Sequence, residues 1–327
     1  MDKLQKLMDF TQIFEPITGQ LKNFETEYNR VLETDSEIIK KITDHLYGGA
    51  GKRLRPALLF LSAGKNIEKT LYPALAIELI HTATLLHDDV IDDSPTRRGI
   101  QTVNYKWNNL VSVLMGDYLF AKAFRLLVEA GESRILSSFA LATERVAVGE
   151  LNQAYYTGDF DITEEMYTKV IADKTASLFA CSAEAGAICS GFDSEKAALL
   201  KSYGENIGMA FQITDDLLDL IGEPKKTGKT LGSDIREGWV TLPLIHALKN
   251  GNSSAKDSFK DILGGDVPPD ELERIVRFVK SNGGIEYAEQ KARGYVENAV
   301  AILHKLDGIP TKGALEGLAY LAAAREK

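Results

Sequence analysis

The sequence predicts an all-α protein, because apolar residues recur at helical spacing along most of its length and only nine prolines interrupt 327 residues. Length alone suggests two domains. No internal boundary stands out, however, so residues 1–327 are expected to form one large helical bundle. With 44% hydrophobic and 26% charged residues the chain has ample material for a core, and its net charge of −9 argues against nucleic acid as a partner. No apolar run is long enough to cross a membrane, and MDKLQKLMDF lacks the apolar stretch of a signal peptide, so a cytoplasmic location is expected. Cys181 and Cys189 are expected to be buried free thiols.

In chain order, a first helix is expected over 3–32, mixing apolar and charged residues on an outer surface. Thr34 and Glu37 then form a capping-box pattern for a helix ending near residue 47. In GGAGKRLRP, glycines permit tight turns, Lys52, Arg53 and Arg55 gather three cations, and Pro56 can open the next helix at its first position. This segment is either a solvated basic loop or a diphosphate clamp, since an Arg fork and a Lys point charge both suit phosphate oxygens. A nearly all-apolar helix is expected over 70–93, followed by a loop over 93–101 marked by Ser94-Pro95 and Gly99. Two long helices, over 102–130 and 132–156, are parted by Gly131. A helix over 163–190 carries Lys174 and Thr175. Another over 193–220, capped by Asp193 or Ser194, leads into a long polar loop over 222–239 with Lys225, Lys226, Lys229 and Arg236. Beyond Leu242, shorter helices broken by GGDVPP, NGG and DGIP read as packing.

The chemistry is concentrated where apolar helices end. LLHDDVIDDSPTRRG sets Asp88, Asp89, Asp92 and Asp93 after a buried run and follows them with Arg97 and Arg98. Asp88 and Asp92 are one helical turn apart and share a face, with Asp89 beside them. FQITDDLLDLIG repeats that spacing with Asp215, Asp216 and Asp219. A single cluster is better explained as a solvated helix end. Two, each emerging from an apolar helix, call for cations, and oxygen ligands at this density suit a hard ion such as Mg²⁺. His81, two turns before Asp88 on the same side, is either a core residue or a site residue. Paired acidic clusters, several cationic stretches and an apolar interior suit transfer between diphosphates that carry apolar tails.

GKRLRP, LLHDDVIDDSPTRRG, GELNQ, KTASLF, FQITDDLLDLIG, and GKTLGSD followed by TLPL together resemble the trans-isoprenyl diphosphate (polyprenyl) synthases, over about residues 48–243. The resemblance implies an all-α bundle of the isoprenoid synthase type around a central cavity, with the two aspartate helices facing one another, and a homodimer. It implies a prenyltransferase that condenses isopentenyl diphosphate with an allylic prenyl diphosphate, giving a longer trans-polyprenyl diphosphate and pyrophosphate by Mg²⁺-assisted ionisation. Asp88 and Asp92 would hold the metal with Asp89 in support. Asp215 would ligate a further ion from the opposite side, with Asp219 also counted in the metal set, near it or in its water shell, and Asp216 close by, three ions being expected with substrate bound. Lys52, Arg55, His81 and Arg98 match the isopentenyl diphosphate site. Arg97, Lys174, Lys229 and Gln212 match the allylic site, and Thr175 the place where oxygen atoms stabilise the allylic cation.

Product length in this family follows bulk below the first aspartate helix. Ala83 and Thr84 are small there, which implies products longer than C15, with Phe120, Phe124 or Phe139 as the stop. Trp239 departs from the family's usual lysine, so one diphosphate contact is expected to be missing. A class I terpene cyclase shares the aspartate helix but has no need of Lys52, Arg55 and His81. A non-catalytic subunit is opposed by the completeness of both aspartate clusters.

Overall fold

Breakers and caps decide where the helices start. In the computed structural model, which describes residues 10–47, 51–64, 69–222, 231–251, 258–259 and 267–324, Pro16 interrupts the first expected helix. There α1 (Phe10–Phe14) passes through a 3-10 turn at Glu15–Ile17 into α2 (Thr18–Val31). The expected capping box does not form, because Thr34 Oγ1 accepts from the Ser36 N–H at 3.2 Å instead and α3 (Glu37–Tyr47) starts after Ser36. α4 (Leu54–Ala63) opens two residues before Pro56, which falls within the first turn, where N–H groups have no helical acceptor.

After α5 (Leu71–Ile91), the expected loop closes as a small hairpin of β1 (Thr96–Arg97) and β2 (Ile100–Gln101). Its turn residues Arg98 and Gly99 have φ of 52° and 78°, the left-handed pair that a two-residue hairpin turn requires. This hairpin is the one sheet among the described residues. The helix expected over 102–130 divides into α6 (Val103–Lys106) and α7 (Asn109–Ala130), because the Asn108 side chain caps α7 through the Val111 N–H at 2.9 Å. α8 (Ser133–Tyr156) follows. The helix expected over 163–190 comprises α9 (Glu164–Ile171), a π-helical turn at Ala172–Ala176 and α10 (Ser177–Cys189). α11 (Ser194–Ile221) is capped as expected, Asp193 Oδ1 accepting from the Lys196 N–H at 2.8 Å. α12 (Ser233–Glu237), α13 (Leu242–Asn250), α14 (Pro269–Ser281), α15 (Gly284–His304) and α16 (Lys312–Ala323) follow among the described residues.

The interior belongs to α5, α10 and α11. Pro73 to Ile80 are all buried, and Glu184 is the one residue of α10 that is not, the pattern of helices surrounded by others. α5 packs along α7, α10 against α4 and α11, and α11 along α15. Their apolar residues form a main cluster around Phe60, Leu79, Phe139 and Phe179 and a second around Tyr167, Met209, Leu217 and Trp239. Gly208 lets α11 meet the π turn closely, since a methyl group there would lie 2.5 Å from Ala176 Cα. Cys181 and Cys189 are buried and unbridged. Among the described residues, no helix is long and apolar enough to cross a membrane.

Candidate active site

Three carboxylates gather at the end of α5. Asp92 closes the helix, its N–H donating to Asp88 O at 2.8 Å, and exposed Asp93 turns the chain with φ of 47°. Burial pushes the Asp88 carboxyl up to about 7, with the charges of Glu150 and Asp92 adding and those of Lys174 and Arg97 opposing. Burial raises Asp92 as well. Asp89 is turned inward and ties the hairpin to the helix. Its Oδ1 accepts from Arg97 Nε at 2.6 Å, and its carbonyl accepts from the Ser94 N–H and from Asn104 Nδ2, each at 3.0 Å.

Lys174 and Thr175 stand in the π turn, a feature frequent at functional sites. Lys174 Nζ pairs with Glu150 at 2.9 Å. Burial works against the lysine's charge, yet Glu150, Asp88 and Asp92 outweigh it and raise its pKa. The next side chain reaches the other cluster. Thr175 Oγ1 donates to Gln212 Oε1 at 2.7 Å, Gln212 Nε2 to Asp216 Oδ1 at 2.7 Å, and the Tyr167 hydroxyl to Asp216 Oδ2 at 2.5 Å. A single two-residue step therefore links the first aspartate cluster to the second. Gly149 of the GELNQ segment makes the step possible, because a methyl group there would lie 2.4 Å from the Lys174 backbone nitrogen. Gly149→Val is expected to destabilise the fold by about 1–3 kcal/mol through overpacking. An unchanged melting temperature would contradict so close an approach.

In the second cluster burial pushes Asp216 up to about 7, against its two hydrogen bonds and with Asp215 and Asp219 adding to the rise. Asp215 is half-buried beside it. Asp219 is placed as the cap of α12, accepting the Ser233 and Asp234 N–H groups at 3.1 Å each, together with the Ser233 hydroxyl. Asp234 is itself held well above the carboxylate range by burial and by Asp216 and Asp219. The donor set suits a hard divalent cation, being carboxylate oxygen alone and crowded enough to repel itself. Among the described residues no three ligand groups already converge on one point. Mg²⁺ commonly takes one or two carboxylates and completes its shell with substrate phosphates and water.

A basic recess lies beside the first cluster, lined by Gly51, Arg53, Glu78, His81, Asp89, Arg97 and Arg98. Asp89 and Arg97 belong to both. Burial and the charges of Arg55, Arg98, Arg97 and Arg53 hold His81 well below its ordinary pKa, so its ring is neutral. Arg53, at the left-handed start of α4, is committed to Glu25 at 2.8 Å and Glu78 at 2.7 Å. Arg55 lies over the Phe179 ring at 4.7 Å, and Lys52 is exposed. Arg98 crosses the basic loop where Gly51 leaves room, a methyl group on Gly51 falling 2.5 Å from Arg98 Nη1.

The remaining expected residues are dispersed. Ala83 and Phe139 are fully buried in the main core, whereas Thr84, Phe120 and Phe124 are half-buried. Lys229 lies outside the described residues. Trp239 is 5% exposed and stacked on Tyr167 with centroids 6.3 Å apart, so its indole backs the tyrosine that holds Asp216. Glu150, Tyr167, Asp234 and Gly149 were not singled out from the sequence. Glu150 and Gly149 lie in the GELNQ segment, which offered a signal, while Tyr167 offered none beyond an aromatic at helical spacing.

Comparison with known proteins places the chain in a family. The Polyprenyl synthetase family model matches residues 36–279. The octaprenyl diphosphate synthase of Escherichia coli (strain K12) is 36% identical over 299 residues, covering 90% of this chain and 93% of that protein. The structure of a decaprenyl diphosphate synthase from Rhodobacter capsulatus matches with a TM-score of 0.90 at 34% identity, covering 97% of this chain and all of the other. That of a polyprenyl synthase from Caulobacter crescentus CB15, complexed with calcium and isoprenyl diphosphate, matches with a TM-score of 0.92 at 34% identity, covering 98% and 99%. With the paired aspartate clusters joined through Lys174 and Thr175, this chain belongs to the polyprenyl synthetase family, the trans-isoprenyl diphosphate synthases.

Proposed function

We propose that this prenyltransferase holds Mg²⁺ with Asp88 and Asp92 on one side of its site and Asp215 on the other, three ions in all when substrate is bound. Asp89, Asp216 and Asp219 orient the surroundings. The observation that carries this reading is the Lys174–Thr175 step, where Lys174 Nζ pairs with Glu150, whose charge acts on Asp88, and Thr175 connects to Asp216 through Gln212. A divalent ion held there by Asp88, Asp92 and Asp215 would supply neutralisation of the charge on the departing pyrophosphate. Lys174, Arg97, Gln212 and Lys229 serve the allylic diphosphate, and Thr175 presents an oxygen to the allylic cation. Lys52, Arg55, His81 and Arg98 receive isopentenyl diphosphate, and the neutral His81 ring contributes a hydrogen bond without a charge.

The enzyme joins isopentenyl diphosphate to an allylic prenyl diphosphate and makes a longer trans-polyprenyl diphosphate. The allylic C–O bond breaks, the isopentenyl double bond supplies the electrons of the new C–C bond, and the proton lost goes to pyrophosphate. No side chain acts as a nucleophile, and the apolar surroundings keep water from the cation. Products exceed C15, with Ala83 and Thr84 leaving room and Phe124 or Phe139 setting the limit. The assembly is a homodimer, a reading supported by apolar residues left exposed on neighbouring helices. Leu110 and Leu114 stand on α7, and Leu151 and Tyr155, 71% and 80% exposed, on α8. Two buried, unbridged thiols support a reducing compartment such as the cytoplasm.

The purified chain, assayed alone with labelled isopentenyl diphosphate and a series of allylic starters, tests this reading. Mg²⁺-dependent products longer than C15 are expected by chromatography. No elongation with any starter would overturn it.

A further inference from the structure

The π turn that carries Lys174 and Thr175 is held from outside its own helix. Ala172 O accepts the Ser177 N–H in the wide hydrogen bond that defines the turn, and it also accepts Arg145 Nη2 at 3.1 Å. Arg145 Nε donates to Asp173 Oδ1 at 2.7 Å, and Arg145 Nη2 reaches Glu205 Oε1 of α11 at 2.8 Å. Arg145 lies one turn before Gly149 on α8, so one helix supplies both the guanidinium that grips residues 172 and 173 and the gap that admits the Lys174 backbone. An ordinary α-helical register would shift Lys174 and Thr175 by about one residue's rotation relative to α10, and only one of them could then keep its present partner.

We propose that Arg145 is a positioning residue for the reaction. By bonding the Ala172 carbonyl and the Asp173 carboxylate together, it fixes the π register and so aims Lys174 at Asp88 and Asp92 and Thr175 at Gln212. This inference deepens the functional reading above and rests on it. Arg145 itself touches no substrate, and the Glu205 bond is a separate tie from α8 to α11.

Steady-state kinetics and thermal melting of four single variants test the role. Arg145→Ala is expected to raise KM for the allylic diphosphate about tenfold and to lower kcat, with KM for isopentenyl diphosphate within about twofold of the parent. Arg145→Lys, which keeps the charge and one bond, recovers part of that loss and gives the same split if the alanine variant fails to fold. Glu205→Gln, which weakens only the tie to α11, lowers the melting temperature but keeps parental kinetics. The inference is overturned if Arg145→Ala has parental allylic kinetics or, where that variant does not fold, if Arg145→Lys does. It is equally overturned if the losses fall on both substrates alike and Glu205→Gln reproduces them, since that marks a plain structural ion pair. Lys174→Ala separates the two levels. If it leaves allylic KM and kcat unchanged, the functional reading fails; if it impairs them while Arg145→Ala does not, only the positioning role fails.

Discussion

Asp88→Ala is expected to lower kcat by about three orders of magnitude while making the metal-free protein more heat-stable at pH 8. The two effects share a cause. Burial beside Glu150 and Asp92 pushes the Asp88 carboxyl up to about 7 in the fold, whereas in the unfolded chain it ionises near pH 4. Between those values the folded state keeps a proton that the unfolded state has released. The contribution of this group to stability is therefore fully present below about pH 4 and is lost as pH rises through about 7. Alanine has no such loss, so the melting-temperature gap between variant and parent widens from pH 5 to pH 8 in a chelator. Adding Mg²⁺ and pyrophosphate reverses the gap, because only the parent gains from ligand binding. Elongation by the variant at near the parental rate would sink the metal role. A gap that stays constant with pH would sink the electrostatic account.

Lys174→Ala is expected to reduce kcat/KM for the allylic substrate about a hundredfold and to destabilise the metal-free protein by about 2 kcal/mol. Lys174 is a cation shared by Glu150, Asp88 and Asp92, and its loss leaves three carboxylates in mutual repulsion. The stability effect falls below that of a fully buried pair, since the Lys174 and Glu150 side chains keep 23% and 20% exposure. Adding Glu150→Gln separates structure from chemistry. The amide removes one negative charge and restores stability in denaturant unfolding, but it brings no cation and leaves kcat/KM low. Recovery of both together would mean that Lys174 serves only to neutralise Glu150.

The parts of the site that were legible in the sequence are those set within one helix. The turn-by-turn spacing of Asp88 and Asp92, and of Asp215 and Asp219, follows from helical periodicity alone, and the Asp193 cap from the residue type at the helix start. What was not legible depends on contacts between helices. IADKTASLF reads as an unbroken helix, and the π turn inside it is held by Arg145 and approached by Gly149, both on α8. The Tyr167 hydroxyl bond to Asp216 joins α9 to α11, and nothing local marks that tyrosine. Asp219 shared the spacing of a ligand, yet the N–H groups of a helix start engage both its oxygens. Pro16, by contrast, is a breaker readable in the sequence, and it divides the first helix.

Trp239 gives the protein a built-in optical probe. Its indole lies against Tyr167, one hydrogen bond from Asp216. The other of the two tryptophans, Trp107, sits half-buried beside His45 and Lys106. Exchanging Trp107 for phenylalanine leaves a lone tryptophan behind the second aspartate cluster, whose emission, excited apart from that of the tyrosines, is expected to report site occupancy without any added dye.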